Sequence, residues 1–435
     1  MTAIGRDAAP PGADSCGRRH PKHRTIVDMP PVETIRRAVP DRASQRARIA
    51  VSALFLTNGA LFANILPRYP EIKTALGLDN LGYGFAIAAF PAGAIAAGLL
   101  AAVVIRQFGS ARVAVIGTVL TSLGLLSAAF APTGALFAAG LFLGGASDAI
   151  TDVAQNVHGL RVQRRYGRSI INGFHAIWSM GAVLGGVMAA VAIAVRLPLG
   201  VHLGVSTAAF AAVALISLRF CLPGHDDAPD TETTVERARA AGPPRRRVSP
   251  RTVIALIALT LIATAGAVAE DAGNSWATLY LADSLGAAGA IAPLGFIALV
   301  GAQFVGRIIG DPLTDRFGQR WVARVGGLIA AVGMSLALLF PTVPGTILGF
   351  AAVGFGIATL IPAAMHAVDE LPGLRPGIGL TIVSWLLRVG MLLSPPFVGF
   401  VAENESLRVG LFIAPIAALV ALLLAGFLEG RRPRG

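Results

Sequence analysis

Residues 252–281 read TVIALIALTLIATAGAVAEDAGNSWATLYL, and this stretch decides the kind of fold that the chain adopts. Its first 18 residues carry no charged side chain. About 20 mainly apolar residues are enough for an α-helix to cross a bilayer. Because lipid offers the backbone no hydrogen-bond partner, a run of this kind predicts a transmembrane helix. Glu270 and Asp271 interrupt the run where a charge is costly, which marks them as candidates for function.

Eleven further apolar runs predict an all-α integral membrane protein with twelve transmembrane helices. A polar stretch divides the runs into two groups of six. We therefore predict two pseudo-symmetric six-helix bundles, 47–221 and 251–428, joined by a cytoplasmic linker at 222–250. A disordered basic tail at 1–46 and a basic C-terminal tail at 429–435 flank them. The predicted spans are 48–67, 81–104, 112–130, 134–157, 169–194, 199–221, 252–281, 288–309, 321–340, 344–366, 377–401 and 407–428.

The composition argues against a soluble protein. Only 14% of the residues are charged, against about 25% in soluble domains, and the mean hydropathy is +0.69. With the N-terminus inside the cell, 31 of the 36 Lys and Arg residues fall in cytoplasmic loops and tails, which is the usual bias of membrane proteins. We therefore expect a multi-pass protein of the cytoplasmic membrane with both termini in the cytoplasm. The net charge of +12 then faces anionic lipid, so nucleic acid is not an expected partner.

Motifs for other chemistry are absent from the sequence. Two cysteines, Cys16 and Cys221, exclude a disulfide framework and a multi-cysteine metal site. The chain has no glycine-rich phosphate loop of the GxxxxGKS or GxxxxGKT type and no HExxH pair. We therefore expect no cofactor and no metal, and we do not expect an enzyme.

The two halves of the chain carry an internal repeat. At an offset of 209 residues, glycines and prolines of the first half recur in the same order in the second half. An ordered series of this kind indicates a duplicated six-helix unit, which is one plan of secondary transporters. The matched pairs are Phe108 with Phe317, Gly109 with Gly318, Gly117 with Gly326, Gly124 with Gly333, Pro132 with Pro341, Gly140 with Gly349, Gly145 with Gly354 and Gly181 with Gly390.

The loop that follows span 8, residues 310–320, reads GDPLTDRFGQR. It resembles the loop motif G-x-L-x-D-R-x-G-R-R of the major facilitator superfamily. The resemblance covers residues 46–430 and implies two six-helix bundles that move a solute by alternating access. The matching residues are Leu313, Asp315, Arg316, Gly318 and Arg320, while Asp311 stands where the first glycine is usual and Gly310 precedes it.

This motif is a candidate latch at the inner mouth between the halves. Gly318 permits a tight turn between two spans. Asp315 can accept hydrogen bonds from Arg316 or Arg320, and we expect such bonds to hold in one state and break in the other. The alternative is a solvated loop that only fixes the topology. In the corresponding loop after span 2, Arg106 replaces the acid.

A finer resemblance lies in spans 4 and 5. Residues 152–159 read DVAQNVHG and residues 174–181 read FHAIWSMG. Together with RYPEIK at 68–73, they resemble a bacterial branch of the superfamily that includes rhizopine-permease-like and uncharacterised inner-membrane members. This branch implies no defined class of substrate.

Polar side chains inside the spans of the first half are candidates for the substrate and proton pathway. Four residues share one face of span 4, namely Asp148, Asp152, Gln155 and Asn156. Span 5 presents polar residues on one narrow stripe. Asp152 and His175 should lie at a similar depth, where they form either a titrating pair or a structural hydrogen bond. The candidates of this half are Asn58 in span 1, Asp148, Asp152 and Asn156 in span 4, and Asn172, His175 and Trp178 in span 5.

The second half adds four candidates for the same pathway. Glu270, Asp271 and Asn274 share one face of span 7. Two adjacent carboxylates do not both ionise easily in low dielectric, which suits proton coupling, unless the acids are hydrated in an external vestibule. Arg388 in span 11 is too costly to leave unpaired. We expect it to pair with Glu270 or Asp271, or to bind an anionic group of the cargo.

These features predict a secondary active transporter that moves a small solute by alternating access, as a monomer and with protons as the coupling ion. A proton-antiporting efflux pump for hydrophobic compounds is an alternative, because GAVLGG at 181–186 resembles the end of the antiporter motif G-P-x-x-G-G. An aromatic content of only 7% favours a polar solute instead. A membrane sensor that kept the fold remains a further alternative, and it would call for a long soluble output domain.

Overall fold

The computed structural model describes residues 41–224, 249–374 and 377–428, and every regular element in these ranges is helical. Twelve helices in them are long and apolar enough to cross a membrane, as predicted. They are α1 (Arg42–Ala75), α2 (Asn80–Gly98), α3 (Ser110–Ala129), α4 (Gly134–Tyr166), α5 (Ile171–Ala194), α6 (Leu199–Leu218), α7 (Pro250–Ser284), α8 (Leu294–Phe317), α9 (Gln319–Leu339), α10 (Val343–Asp369), α11 (Ile378–Asn404) and α12 (Leu407–Phe427).

Four of these helices are composite, and prolines explain the first break. Pro67 and Pro70 lack the N–H that a continuous α-helix would use. The regular part of α1 therefore ends at Ile65 and continues through a 3₁₀ turn. The segments are Arg42–Ile65, Leu66–Arg68 and Tyr69–Ala75 in α1, Pro250–Leu279 and Tyr280–Ser284 in α7, Val343–Ile357 and Leu360–Asp369 in α10, and Leu407–Gly410, Ile413–Leu424 and Ala425–Phe427 in α12. A separate short helix, Ala101–Phe108, follows α2.

Several helices extend beyond the predicted spans. α1 begins at Arg42, inside the stretch expected to be a tail, because Asp41 caps it. The Asp41 carboxylate accepts a hydrogen bond from the Ser44 N–H at 2.8 Å and forms an ion pair with Arg165 at 2.9 Å. These bonds, chiefly those of Ser44, lower the pKa of Asp41 to about 2. Most of the predicted tails and linker, at 1–40, 225–248 and 429–435, lies outside the described residues.

The predicted repeat is visible in the geometry of matched positions. Gly109 and Gly318 each end one helix and begin the next, with φ/ψ of 82°/145° and 85°/153°. A positive φ of this size favours glycine, so both turns need the residue that the sequence places there. Thr133 and Thr342, again 209 residues apart, both cap the following helix with a side-chain oxygen. The two halves are therefore copies of one six-helix unit.

The two halves, α1–α6 and α7–α12, meet along α2 with α11 and along α5 with α8. We call the end of the bundle at which α1 begins proximal and the opposite end distal. Distally, Gly84 of α2 faces the backbone of Pro395, and Gly399 of α11 faces the backbone of Asn80. Glycines let these backbones approach closely, as in other membrane helix pairs.

Large apolar side chains cover the outside of the bundle. Leu99, Leu348 and Leu423 are 70%, 70% and 71% exposed, and many similar residues share the same surface. Apolar exposure of this extent suits contact with lipid tails. The chain is therefore a multi-pass membrane protein.

Candidate functional site

A cavity of about 350 Å³ lies between the two halves. Helices α1, α2, α4 and α5 of the first half and α7, α8 and α11 of the second form its walls. Three of the predicted pathway residues, Asn156, Asn172 and His175, do not line it. The predicted residues that line it are Asn58, Asp148, Asp152, Trp178, Glu270, Asp271, Asn274 and Arg388.

Contacts between the halves close the distal end of the cavity. The Tyr83 hydroxyl of α2 donates a hydrogen bond to the Ser275 carbonyl of α7 at 2.8 Å. The Tyr83 ring packs edge-on against Trp276 with 4.9 Å between ring centroids, and both rings are fully buried. The Asn80 N–H donates to Glu403 at 3.0 Å. Trp276 thus serves helix packing, as its position off the polar face of span 7 suggests.

The proximal end of the cavity is open. Asp152, His175 and Arg388 lie within α4, α5 and α11, yet all three side chains are exposed. Polar and charged side chains within a membrane helix face a water-filled space or the bundle interior rather than lipid. Their exposure therefore indicates an aqueous opening between the halves.

A partly buried hydrogen-bonded triad joins three helices of the first half. The Asn58 side-chain N–H of α1 donates to Asp148 of α4 at 2.7 Å. The Trp178 indole N–H of α5 donates to Asn58 Oδ1 at 2.7 Å. Since an indole nitrogen can only donate, this bond fixes the orientation of the Asn58 amide. The triad holds one carboxyl group at the wall of the cavity.

Asp152 and His175 do not form a direct pair, because Asn156 lies between them. The Asn156 side-chain N–H donates to Asp152 Oδ1 at 3.1 Å. The Asn156 Oδ1 accepts from His175 Nε2 at 3.1 Å, so this ring nitrogen carries the proton. Asn156 thus bridges Asp152 and His175 through two hydrogen bonds, and it links α4 to α5. Asn172 is exposed and makes no hydrogen bond to any described residue.

Unsatisfied polar groups characterise the wall formed by the second half. Asp271 Oδ2 and Asn274 Oδ1 are buried without a hydrogen-bond partner among the described residues. Glu270 forms no ion pair with any of them either. Gln303 of α8 lines the cavity and is only 4% exposed. An amide inside a predicted apolar span is a signal in the sequence that could have identified Gln303 as a site residue.

The expected pairing of Arg388 with Glu270 or Asp271 is absent in this conformation. Asp271 lies beside Ser394 of α11, six residues further along that helix than Arg388. At a rise of about 1.5 Å per residue, Arg388 is about 9 Å closer to the proximal end. Its charge instead interacts with Asp152 across the two halves, without a contact ion pair.

Arg307 is a functional candidate that the sequence analysis missed. Its guanidinium donates a hydrogen bond to Ser179 Oγ at 3.2 Å, which joins α8 to α5 across the two halves. The predicted span 288–309 already contains Arg307, yet Arg307 was counted with the basic residues of the cytoplasmic loop that follows the span. α8 continues to Phe317, which places Arg307 inside the helix.

Most of the motif that was predicted as a loop is helical. Residues 310–317, including Gly310 and Asp311, form the last two turns of α8, and Gly318 alone separates α8 from α9. The helix continues past Gly310 and Pro312 and ends only at Gly318, where φ is 85°. The predicted tight turn at Gly318 is therefore present, but it is a single residue long.

The side chains of the motif make few contacts in this conformation. Asp315 is exposed and accepts no hydrogen bond from Arg316, Arg320 or any other described residue. Arg316 lies over the Phe317 ring at 5.2 Å. The Arg320 side chain donates to the Leu428 carbonyl at 3.3 Å and so ties α9 to the end of α12. The expected latch bonds of Asp315 are not formed while the proximal end is open.

Sequence comparison identifies the family. The sequence model of the Major Facilitator Superfamily matches residues 51–311 and 261–435. The uncharacterized transporter y4wD of Sinorhizobium fredii is 29% identical over 376 residues, which cover 86% of this chain and 96% of the relative. Membrane protein MosC of Rhizobium meliloti is 27% identical and covers 86% of this chain and 88% of its own. An uncharacterized MFS-type transporter of Yersinia pestis is 26% identical, with 87% and 93% covered.

Solved structures share the fold at low sequence identity. The crystal structure of the nucleoside transporter NupG has a TM-score of 0.68 at 14% identity and covers 89% of this chain and 99% of its own. The D-xylose-proton symporter has a TM-score of 0.67 at 16% identity, with 89% and 98% covered. The family model, the duplicated twelve-helix fold and relatives that match over most of their length all agree. The chain therefore belongs to the Major Facilitator Superfamily of membrane transporters.

Proposed function

We propose that this transporter is proton-coupled and moves a small polar solute across the cytoplasmic membrane by alternating access. The observation that carries the proposal is the cavity between the halves, which is closed distally and lined by four carboxyl groups. A site between two repeated bundles becomes accessible from either side when the bundles rock against each other. One chain contains the whole cavity, which supports a monomer as the working unit.

The carboxyl groups of the cavity supply a physical reason for proton coupling. Asp271 is only 9% exposed, and neither it nor Glu270 has a cationic partner among the described residues. A buried carboxylate without a cation is costly, and binding a proton removes that cost. A carboxyl group that is wet in one state and dry in the other therefore exchanges its proton during the cycle.

The distribution of arginine supports a cytoplasmic proximal end. Arg42, Arg112, Arg164 and Arg251 all lie at helix ends on this side of the bundle. Positively charged residues are retained on the cytoplasmic side of membrane proteins. The conformation with an open proximal end is then inward-facing.

The antiporter-like residues of α5 serve helix packing, which weakens the case for an efflux pump. Gly181 packs against the Leu56 carbonyl of α1, and Gly185 packs against the Ala60 carbonyl one turn further on. Small residues at such positions are a general device of membrane helices. The cavity itself presents carboxyl and amide groups from both halves, which suit a polar solute. A D-xylose-proton symporter with the same fold is a precedent for this kind of coupling.

Transport by the purified protein in liposomes tests the proposal. We expect a panel of labelled polar solutes to contain at least one whose uptake rises when the outside is made more acidic than the inside. A protonophore should abolish the rise, and protein-free liposomes should show none. Asp283→Asn is a matched control, because Asp283 lies at the distal end of α7 and does not line the cavity. Solute flux that ignores the pH gradient would contradict proton coupling.

A further inference from the structure

Three polar side chains of the second half line the cavity, and two of them keep a buried oxygen that has no hydrogen-bond partner among the described residues. Asp271 Oδ2 and Asn274 Oδ1 are buried and unsatisfied. Gln303 is 4% exposed and makes no hydrogen bond to any described residue. Ser275 and Ser394 lie beside the Asp271 carboxyl but leave Oδ2 unsatisfied. Since buried polar groups are almost always hydrogen-bonded, Asp271 Oδ2 and Asn274 Oδ1 are suited to a partner that enters through the cavity, and Gln303 adds an amide to the same lining.

The three side chains converge on one part of the wall. Asp271 and Asn274 are three residues apart on α7, which puts their Cβ atoms roughly 5–6 Å from each other. The backbone of Gly273, between them, packs against Leu299 of α8. Gln303 follows Leu299 by one turn of α8, which is about 6 Å along the helix axis. Because α8 runs in the opposite direction to α7, this turn brings Gln303 back towards the level of Asp271.

The opposite wall offers a contrast within the same cavity. Asn58, Asp148 and Trp178 are already hydrogen-bonded to one another. Their polar groups are held in place before any solute arrives. Solute recognition through unsatisfied acceptors is therefore concentrated in the second half.

The charge of the lining favours a cationic solute over an anionic one at this position. Four carboxyl groups line the cavity, whereas Arg388 is the only Lys or Arg among the described residues of its lining. Arg388 lies about 9 Å towards the proximal end from the level of Asp271. A cavity with this excess of carboxyl groups attracts cations and repels anions.

We propose that Asp271, Asn274 and Gln303 bind a primary ammonium group, so that the solute is a small organic amine. An alkyl ammonium has three N–H donors and no acceptor, and the site offers one acceptor oxygen from each of the three side chains. The rings of Phe62 and Phe296 line the same cavity and provide apolar contact for the remainder of the solute. This inference rests on the proposed transport function, and it leaves Glu270 as the carboxyl group that carries the proton.

Binding of matched pairs that differ by one group tests the proposal. The probes are 2-phenylethylamine against 2-phenylethanol, and glucosamine against glucose and N-acetylglucosamine. At pH 7 the alkylamine is charged, because such amines titrate near the lysine pKa of about 10.4. Tryptophan fluorescence and thermal stabilisation of the purified full chain report binding. We expect the amine of at least one pair to bind at least about tenfold more tightly than its uncharged counterparts, as for a charge-assisted hydrogen bond.

Variants separate a binding role from a structural one. Asp271→Asn and Gln303→Leu should reduce the ratio of amine to alcohol affinity, whereas Asp283→Asn should leave the ratio unchanged. A ratio is informative because a general loss of folding lowers both affinities together, and the melting temperature of each ligand-free variant checks folding independently. Equal affinity for amines and alcohols, binding of neither, or an unchanged ratio in Asp271→Asn would overturn the proposal.

The outcome is distinguishable from a failure of proton coupling. If an uncharged solute is accumulated by a pH gradient, coupling stands and the amine site is wrong. If amines bind through Asp271 but their flux ignores the gradient, the amine site stands and coupling is wrong.

Discussion

Glu270 and Asp271 are neighbours in sequence but have different surroundings in the cavity. Asp271 is buried beside Ser394, and its Oδ2 lacks a hydrogen-bond partner. Glu270 is half-buried and lines the same cavity. Two adjacent carboxyl groups repel each other when both are ionised, so they favour a division of roles. We therefore expect Glu270 and Asp271 to have different roles, which separate variants can test.

Glu270→Gln tests the role of Glu270 as the proton carrier. The amide keeps the size of the side chain but cannot release a proton. We expect accumulation driven by a pH gradient to be lost, while exchange of labelled for unlabelled solute continues. Both are measured in the same liposome preparation. Asp283→Asn provides the control, and full gradient-driven uptake by Glu270→Gln would move the coupling site to Asp148 or Asp152.

Asn58→Ala tests the hydrogen-bonded triad of the first half. The substitution leaves Trp178 Nε1 and Asp148 without their partner in a buried site. Each buried group that loses its partner costs about 1–3 kcal/mol. We expect a clear decrease in unfolding free energy in detergent. Asn172→Ala is the matched control, because Asn172 is exposed and bonds to no described residue; an equal effect of both substitutions would contradict the role of the triad.

At the scale of helices, glycines set how closely neighbouring elements pack. Gly145 of α4 faces the Phe90 carbonyl of α2, and Gly354 of α10 faces the Leu299 carbonyl of α8 in the same way. The two contacts are related by the internal repeat. A Cβ atom at either glycine would collide with the backbone of the neighbouring helix.

Gly145→Ala and Gly354→Ala should therefore destabilise the protein to a similar extent. Overpacking of a close contact costs roughly 1–3 kcal/mol. Gly204→Ala in α6 is the control, since a Cβ there meets no atom within 4 Å. Thermal unfolding of the three variants in one detergent measures the difference. Unequal effects at Gly145 and Gly354 would show that the repeat is not equivalent in packing.

The end of α8 bears on the conformational cycle. Asp315 has no partner among the described residues in this conformation, in which the proximal end is open. If it forms latch bonds when that end closes, Asp315→Asn should shift the population towards the open state. A cysteine at Gly173, in open space near the proximal end of α5, should then be labelled faster. Asp369→Asn is the control, because Asp369 is an exposed acid at the proximal end of α10 and lies outside the motif; an unchanged labelling rate in Asp315→Asn would reduce Asp315 to a topology signal.

Native cysteines need attention in this experiment. Cys16 is replaced by serine, so that labelling reports the introduced residue. Cys221 is buried, and burial raises the pKa of its thiol to about 11. Because the thiolate is the reactive form, Cys221 should contribute little background at neutral pH.

At the scale of the whole molecule, the orientation in the membrane remains a prediction from charge. The basic ends of the helices predict that the termini and residues 222–250 lie in the cytoplasm. Asp230→Cys should react with a membrane-impermeant maleimide only after the inner face is exposed. Cys16→Ser alone provides the background. Labelling in sealed cells would reverse the orientation or change the number of spans.

The sequence by itself determined the number of spans, the repeat and the family. A run of apolar residues is sufficient for a span because the bilayer forces the backbone to bond within its own helix. The turn glycines Gly109 and Gly318 could be paired for a similar reason, since a positive φ makes a local demand on residue type. The predicted end of span 8, at 309, nevertheless precedes the end of α8 at Phe317. A hydropathy pattern does not distinguish polar residues in a helix from polar residues in a loop.

Only the tertiary structure decided which polar groups meet. Asn58 bonds to residues 90 and 120 positions away, and Asn156 separates Asp152 from His175. The sequence suggested that Arg388 pairs with an acid of span 7, but the axial offset of α7 and α11 keeps them apart. Arg307 and Gln303 emerged as site residues only from the position of α8. Such contacts depend on the relative height and rotation of whole helices, which the packing between the two halves sets and no local pattern encodes.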